Sequence, residues 1–184
     1  GERRGEPGRP RPLPPGLAAE VGDLAARVAA VRQRSTTLDA ALVTATAPLP
    51  ATAWLRSIPG LGPTLTAIML AEVGDITWFT KFSQLRKLAG LDIIRVQSGQ
   101  WAGTARISRC GRPLLRWALY QAALGACRTP AWRAKRTALL TKRQGDPHAF
   151  FKTIVELAAK LLRVIWGVWR SGRPYTAGQA GAPA

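Results

Sequence analysis

The residues best placed for chemistry lie in 91–111, LDIIRVQSGQWAGTARISRCG. Ser98 sits between Gln97 and Gly99, with Arg95, Arg106, Arg109 and Arg112 nearby and no acid between Asp92 and Asp146. A stretch this basic attracts phosphate, and a hydroxyl presented in it can become a nucleophile. Two readings of Ser98 stay open. The bare Gln-Ser-Gly motif favours a turn residue; the arginines around it suit a serine attacking a backbone phosphate, since they offset charge in the transition state. No general base is visible. Trp101, Trp117 and Trp132 fall among the arginines, where they could stack on unpaired bases. Core packing is the preferred reading for Trp117, and Trp101 is the better stacking candidate.

Other chemistries find little to build on. His148 is the single histidine, and beside Pro147 at a helix start it reads as exposed and structural. Cys110 and Cys127 make neither a disulfide framework nor a metal site, and they suit a reducing compartment. The acids of the basic region, Glu72, Asp75, Asp92, Asp146 and Glu156, form no evident two-metal set. No cofactor or metal is therefore expected on this chain. Its 184 residues carry 27 Lys and Arg against 10 Asp and Glu, a formal charge of +17. Twenty of the basic residues and five of the acidic ones fall after residue 50. Such an excess points to nucleic acid or an anionic surface. No apolar run is long enough to span a bilayer and no signal peptide opens the chain, so the expectation is no membrane and a cytoplasmic location.

Several elements must position these residues. Residues 1–16 are rich in Pro, Gly and Arg and read as a disordered linker. In 17–47, Leu17, Val21, Leu24, Val28, Val31, Ser35, Leu38, Leu42 and Ala45 step by four and three on an alanine-rich background. That seam favours a coiled coil, self-associating through 17–45, over a helix lying on its own domain. In Trp54–Gly74 a short helical face, a Gly60-Leu61-Gly62 turn and a second helix make a helix-hairpin-helix-like unit. Its glycines either hold a phosphate, with Thr64 at the following helix start, or only allow the turn. The basic chain favours the phosphate. Phe79, Phe82, Leu85 and Leu88 then face the core. Ile93, Ile94 and Val96 suggest a brief strand, and Trp101-Ala102-Gly103 a turn. Three helices close the domain: Arg112–Cys127, with Arg112 and Arg116 one turn apart; Ala131–Arg143; and His148–Arg170, whose core stripe is Ile154, Leu157, Leu161, Leu162, Ile165 and Trp169. Residues 171–184 read as a disordered tail. The fold class is mainly α, with a coiled-coil arm, a helix-hairpin-helix-like unit, a short irregular or β loop and three C-terminal helices; 51–170 forms the domain.

The motif order IPGLGPTLTAIMLAEVGD, QLRKLAGL, VQSGQ and ARISRCGRPLLRWALYQAA resembles the C-terminal, serine-bearing domain of a bacterial insertion-sequence transposase family. Its members join that domain to an N-terminal DEDD nuclease-like domain and are bridge-RNA-guided recombinases. The resemblance covers about residues 17–170. It implies that Ser98 in Ser98-Gly99 is the catalytic serine, forming a phosphoserine link to DNA, and that Ser108 in Arg106-Ile107-Ser108-Arg109-Cys110-Gly111 is structural or contacts phosphate. It further implies that four acids of the DEDD domain hold Mg²⁺ and act with the serine across subunits. That domain is not in this sequence, so the chain is expected to be a truncated transposase or a fragment of one, inactive alone. Gln100 departs from the family, where a basic residue is frequent.

The resulting expectation is DNA transposition with DNA and guide RNA as partners, in a bacterial, nucleoid-associated setting. The candidate nucleic-acid contacts are Gly60, Gly62, Thr64, Arg95, Gly99, Trp101, Arg106, Ser108, Arg109, Arg112 and Arg116. A non-enzymatic helix-hairpin-helix DNA-binding module and a basic structural RNA-binding protein are the rival readings.

Overall fold

A computed structural model describes residues 14–94, 97–98, 101–102 and 106–176. The chain divides into two units, 1–41 and 42–184. Its described residues are mainly α-helical, as the sequence patterning requires.

Helix α1 runs Pro15–Thr46, beginning inside the segment read as linker, while residues 1–13 lie outside the described residues. Alanine carries little side-chain entropy into a helix, and Thr36 and Thr37 return their hydroxyls to the carbonyls of Arg32 and Gln33. The seam residues Leu17, Val21, Leu24, Val28, Val31 and Leu38 are 45–68% exposed.

In the second unit, α2 (Pro50–Arg56) opens with Pro50 in its first turn, where a missing N–H costs nothing. The Thr52 hydroxyl donates to the Thr46 carbonyl at 2.6 Å. Helix α3 (Pro63–Val73) again starts on a proline, with Gly62 as its N-cap. A 3-10 turn at Ile76–Trp78 follows, its Asp75 cap accepting the Thr77 N–H at 2.8 Å. Helix α4 (Phe82–Leu88) ends in a tight cap. Gly90 adopts φ 67°; its N–H reaches the Lys87 carbonyl, and the Leu91 N–H reaches that of Arg86. The two remaining carbonyls are met from far along the chain: the Arg112 N–H bonds Leu88 at 2.8 Å and Arg116 Nη1 bonds Ala89 at 3.3 Å. The QLRKLAGL and ARISRCGRPLLR motifs thereby become one physical unit.

Between those motifs lie four two-residue strands. β1 (Ile93–Ile94) pairs antiparallel with β4 (Arg106–Ile107), Ile93 opposite Ile107. β2 (Gln97–Ser98) pairs with β3 (Trp101–Ala102), Ser98 opposite Trp101. Trp101 and Ala102 are thus strand residues and not the expected turn. Val96 and Gly103 lie outside the described residues.

Helix α7 (Ala149–Ser171) is the spine. Its stripe Ile154, Leu157, Leu161, Leu162 and Ile165 is fully buried, and Trp169 nearly so. α5 (Pro113–Ala126) packs on α7 and α3 through the buried Leu115, Leu119, Ala122 and Ala126, while α6 (Pro130–Thr141) packs on α7. Leu85 of α4 is buried, with Phe79, Phe82 and Leu88 half-buried around it. Gly172, in the left-handed conformation, caps α7. The described part of the tail then turns back, and the Tyr175 N–H donates to Ser57 Oγ at 2.7 Å.

Candidate nucleic-acid interface

Two glycines of the same turn have different reasons for being glycine. Gly60 takes φ 89°, and a Cβ there would collide with the Ala122 carbonyl oxygen and lie 2.6 Å from the Ala126 nitrogen. The turn lies backbone to backbone on α5, so the fold alone demands this glycine. Gly62 is extended, at φ −78° and ψ 179°, and a Cβ there would meet nothing within 4 Å. Packing does not explain Gly62. It stands at the positive end of α3, on a cleft of about 690 Å³ whose walls include Arg56, Leu65, Gln121 and Arg128. Thr64 lies in the first turn of α3. Arg56 and Arg128 were not among the expected residues; 72 positions separate them in sequence, and only the packing of α2 and α5 brings them to one cleft.

The arginine-rich segment holds both structural and exposed arginines. Arg109 is the one non-glycine residue with positive φ among those described, at 56°. Its N–H bonds the Gly90 carbonyl at 3.1 Å, and its own carbonyl accepts from Arg116 Nη1 at 3.3 Å. Arg116 therefore fastens two carbonyls, those of Ala89 and Arg109, and is in the first place a structural residue. Arg112 pairs with Glu72 at 3.6 Å. Arg106 and Arg109 are exposed. The Ser108 N–H donates to the Asp92 carbonyl at 2.7 Å, and its Oγ is buried with no hydrogen-bond partner. Ser98 and Trp101 are described as paired backbone only, and Arg95 and Gly99 lie outside the described residues. Trp117 is 48% exposed, against the core position expected for it.

The acids of this unit are all engaged. Asp92 pairs with Arg86 at 2.7 Å, Glu156 with Arg143 and Lys160 at 2.6 and 2.9 Å, and Asp146 with Lys152 at 2.6 Å. The Thr77 N–H and hydroxyl hold the Asp75 carboxyl below its ordinary range. Hydrogen bonds from Lys152 and the His148 N–H do the same for Asp146. Burial pushes the Glu156 carboxyl up, but its bonds to Arg143 and Lys160 outweigh that and leave it lowered. Among the described residues no group of His, Cys, Asp and Glu could hold a metal ion. The four-acid Mg²⁺ set implied by the resemblance was expected on the N-terminal DEDD domain and not on these residues. His148 is exposed, at the N-cap of α7. Both cysteines are free, and burial raises the Cys127 thiol. No helix among the described residues is long and apolar enough to cross a membrane.

Residues 52–138 match the model of the Transposase IS116/IS110/IS902 family. The chain is 30% identical over 122 residues, 66% of its length, to the 44.8 kDa protein of insertion element IS116 from Streptomyces clavuligerus, covering 30% of it. It is 33% identical over 178 residues to a candidate transposase, y4rJ, of Sinorhizobium fredii, covering 88% of this chain and 44% of the other. The 43.6 kDa protein of insertion element IS110 from Streptomyces coelicolor is 30% identical over 156 residues, with 84% of this chain and 38% of the other covered. The chain spans less than half the length of each of these relatives.

Proposed function

We propose that the chain is the DNA-handling part of an insertion-element transposase of the IS116/IS110/IS902 family, with Ser98 as its nucleophile. One observation carries this. The family match at 52–138 takes in the glycine turn, the paired strands bearing Ser98 and the whole of α5, the parts with the least ordinary backbone and the most cations.

In the proposed step, Ser98 Oγ forms a bond to a backbone phosphorus while the bond to one sugar oxygen breaks. The leaving sugar oxygen takes the electron pair and a proton, and the serine proton passes to a base outside the described residues. A phosphodiester is exchanged for a phosphoserine diester, so the reverse attack by another strand end rejoins DNA without net hydrolysis. The exposed Arg106 and Arg109 stabilise the added charge, and the α3 N-terminus with Arg56 and Arg128 holds the duplex through phosphates. Ser108 competes poorly as nucleophile because its Oγ is buried. The acids that hold Mg²⁺ in the family, and the guide RNA, belong to the longer protein and its complex in this reading.

The test is a covalent protein–DNA adduct that survives denaturant, formed by this chain within an intact family protein and its RNA. The native serine should give it, Ser98→Ala should not, and Ser108→Ala should retain some. An adduct that survives Ser98→Ala and is lost in Ser108→Ala assigns the other serine. Tight DNA binding with no adduct in any variant leaves a binding module without catalysis.

A further inference from the structure

We propose that the groove between β4, α5 and α7 holds an unpaired base of single-stranded DNA. This rests on the nucleic-acid reading above and names the form of the strand. The groove encloses about 380 Å³, within the ~300–1,000 Å³ typical of small-molecule sites. Ile107, Tyr120 and Phe151 line it, with Trp117, Arg109 and Arg116. The Tyr120 and Phe151 rings lie 5.6 Å apart, tilted by 35°.

Trp117 is 48% and Phe151 51% exposed, whereas Trp132 and Trp169 are 1% and 7% exposed. Trp78 is also open, at 74%, but Trp117 and Phe151 are both half-exposed and both line this one groove. An exposed aromatic cluster of this kind marks a contact surface.

Charge selects the occupant. The described lining residues include two arginines and no carboxylate. An apolar protein segment would leave both guanidinium charges without a counter-ion. A nucleotide supplies what the groove lacks, a flat apolar face for the rings and a phosphate for the rim. Arg116 is already fixed by the carbonyls of Ala89 and Arg109, so its position costs no ordering on binding. Ile107 of the groove wall pairs with Ile93. Five residues of chain from Ile93 to Ser98 reach at most about 18 Å, a few nucleotides of unpaired strand. A base held here would lie close to the phosphate that Ser98 is proposed to attack. The choice of DNA follows from the proposed function, since Arg109, Arg116 and the Tyr120 hydroxyl offer partners to a ribose 2′-OH as well.

The full chain is titrated at fixed salt with a short oligothymidylate, the same oligonucleotide with abasic sugars, an oligouridylate and a DNA duplex. The native chain should prefer the thymidylate over the abasic strand by about tenfold. Trp117→Ala with Phe151→Ala should bring the two together while leaving the abasic affinity unchanged, and Trp117→Phe should keep most of the difference. The half-exposed sites accept single Trp117→Gln or Phe151→Gln changes, each of which should remove part of it if the double variant fails to fold. Equal binding of the thymidylate and abasic strands by the native chain overturns the proposal, as does tighter binding of the uridylate. A double variant that changes the protein's oligomeric state and not its base preference assigns the groove to protein contact. Loss of duplex and abasic binding in the native chain overturns the phosphate-binding reading itself, a separate result.

Discussion

A phosphate contact and a packing contact can be told apart at single residues of the Gly60–Gly62 turn. Gly60→Ala forces a side chain into positive φ and against the backbone of α5. It should cost about 2–3 kcal/mol, seen as a melting temperature lower by roughly 5–10 °C. Gly62→Ser meets open space and supplies a favourable N-cap hydroxyl, so stability should change by only a few tenths of a kcal/mol. That hydroxyl would occupy the N–H groups a phosphate needs, and duplex affinity should fall by about fivefold or more. Unchanged affinity in Gly62→Ser, measured with melting temperature in the same protein, would reduce the whole turn to a packing device. The sequence shows both glycines but cannot separate them, because the atoms that crowd Gly60 belong to residues 122 and 126. Nor can it pair Arg56 with Arg128. Trp117, by contrast, was legible and misread: two positions beyond Leu115, it stands about 200° around the helix from the buried face.

At the scale of elements, the α6–α7 connection is fastened to α7 by Glu156, which pairs with Arg143 of the connection and Lys160 of its own helix, with Arg143 also donating to Thr153 at 3.1 Å. The folded Glu156 carboxyl ionises below its ordinary value of 4.5. Around and below that pH the unfolded chain binds more protons than the folded one, so the pair's contribution is present above pH 4.5 and lost as pH falls through the lower folded value. Glu156→Gln should therefore melt lower at neutral pH yet lose less on acidification to about pH 3.5. Asp75 and Asp146, lowered in the same sense, keep some acid sensitivity in the variant. Identical acid limbs in thermal melts would show that the pair contributes nothing. The Arg143–Glu156 pair is invisible in sequence, whereas α7 was plain there: six stripe residues at helical spacing are all buried. The β3 pairing was not, since a two-residue strand has no period to read and depends wholly on its partner across the ribbon.

At the scale of the whole molecule, two surfaces stand open, one charged and one apolar. Twenty basic side chains follow residue 50, against five acidic ones. Duplex binding should fall by orders of magnitude between about 50 and 200 mM salt, and a flat response would remove the electrostatic account. The apolar surface is the seam of α1, a 32-residue helix on which six Leu and Val side chains remain 45–68% exposed. A helix this long, with an apolar row stepping by four and three, gains little by keeping that row in water, and covering each such side chain is worth about 1–2 kcal/mol. Ser35 interrupts the row, as a polar position does where strands must choose a register. The chain should therefore self-associate, with sedimentation showing a mass that rises with concentration. Leu24→Glu with Val31→Glu places two charges on the seam and should give monomers, while the helicity contributed by 51–184 persists. A native chain that stays monomeric at high concentration would assign the seam to a different cover, the remainder of the longer protein that the chain's partial span of its relatives leaves room for.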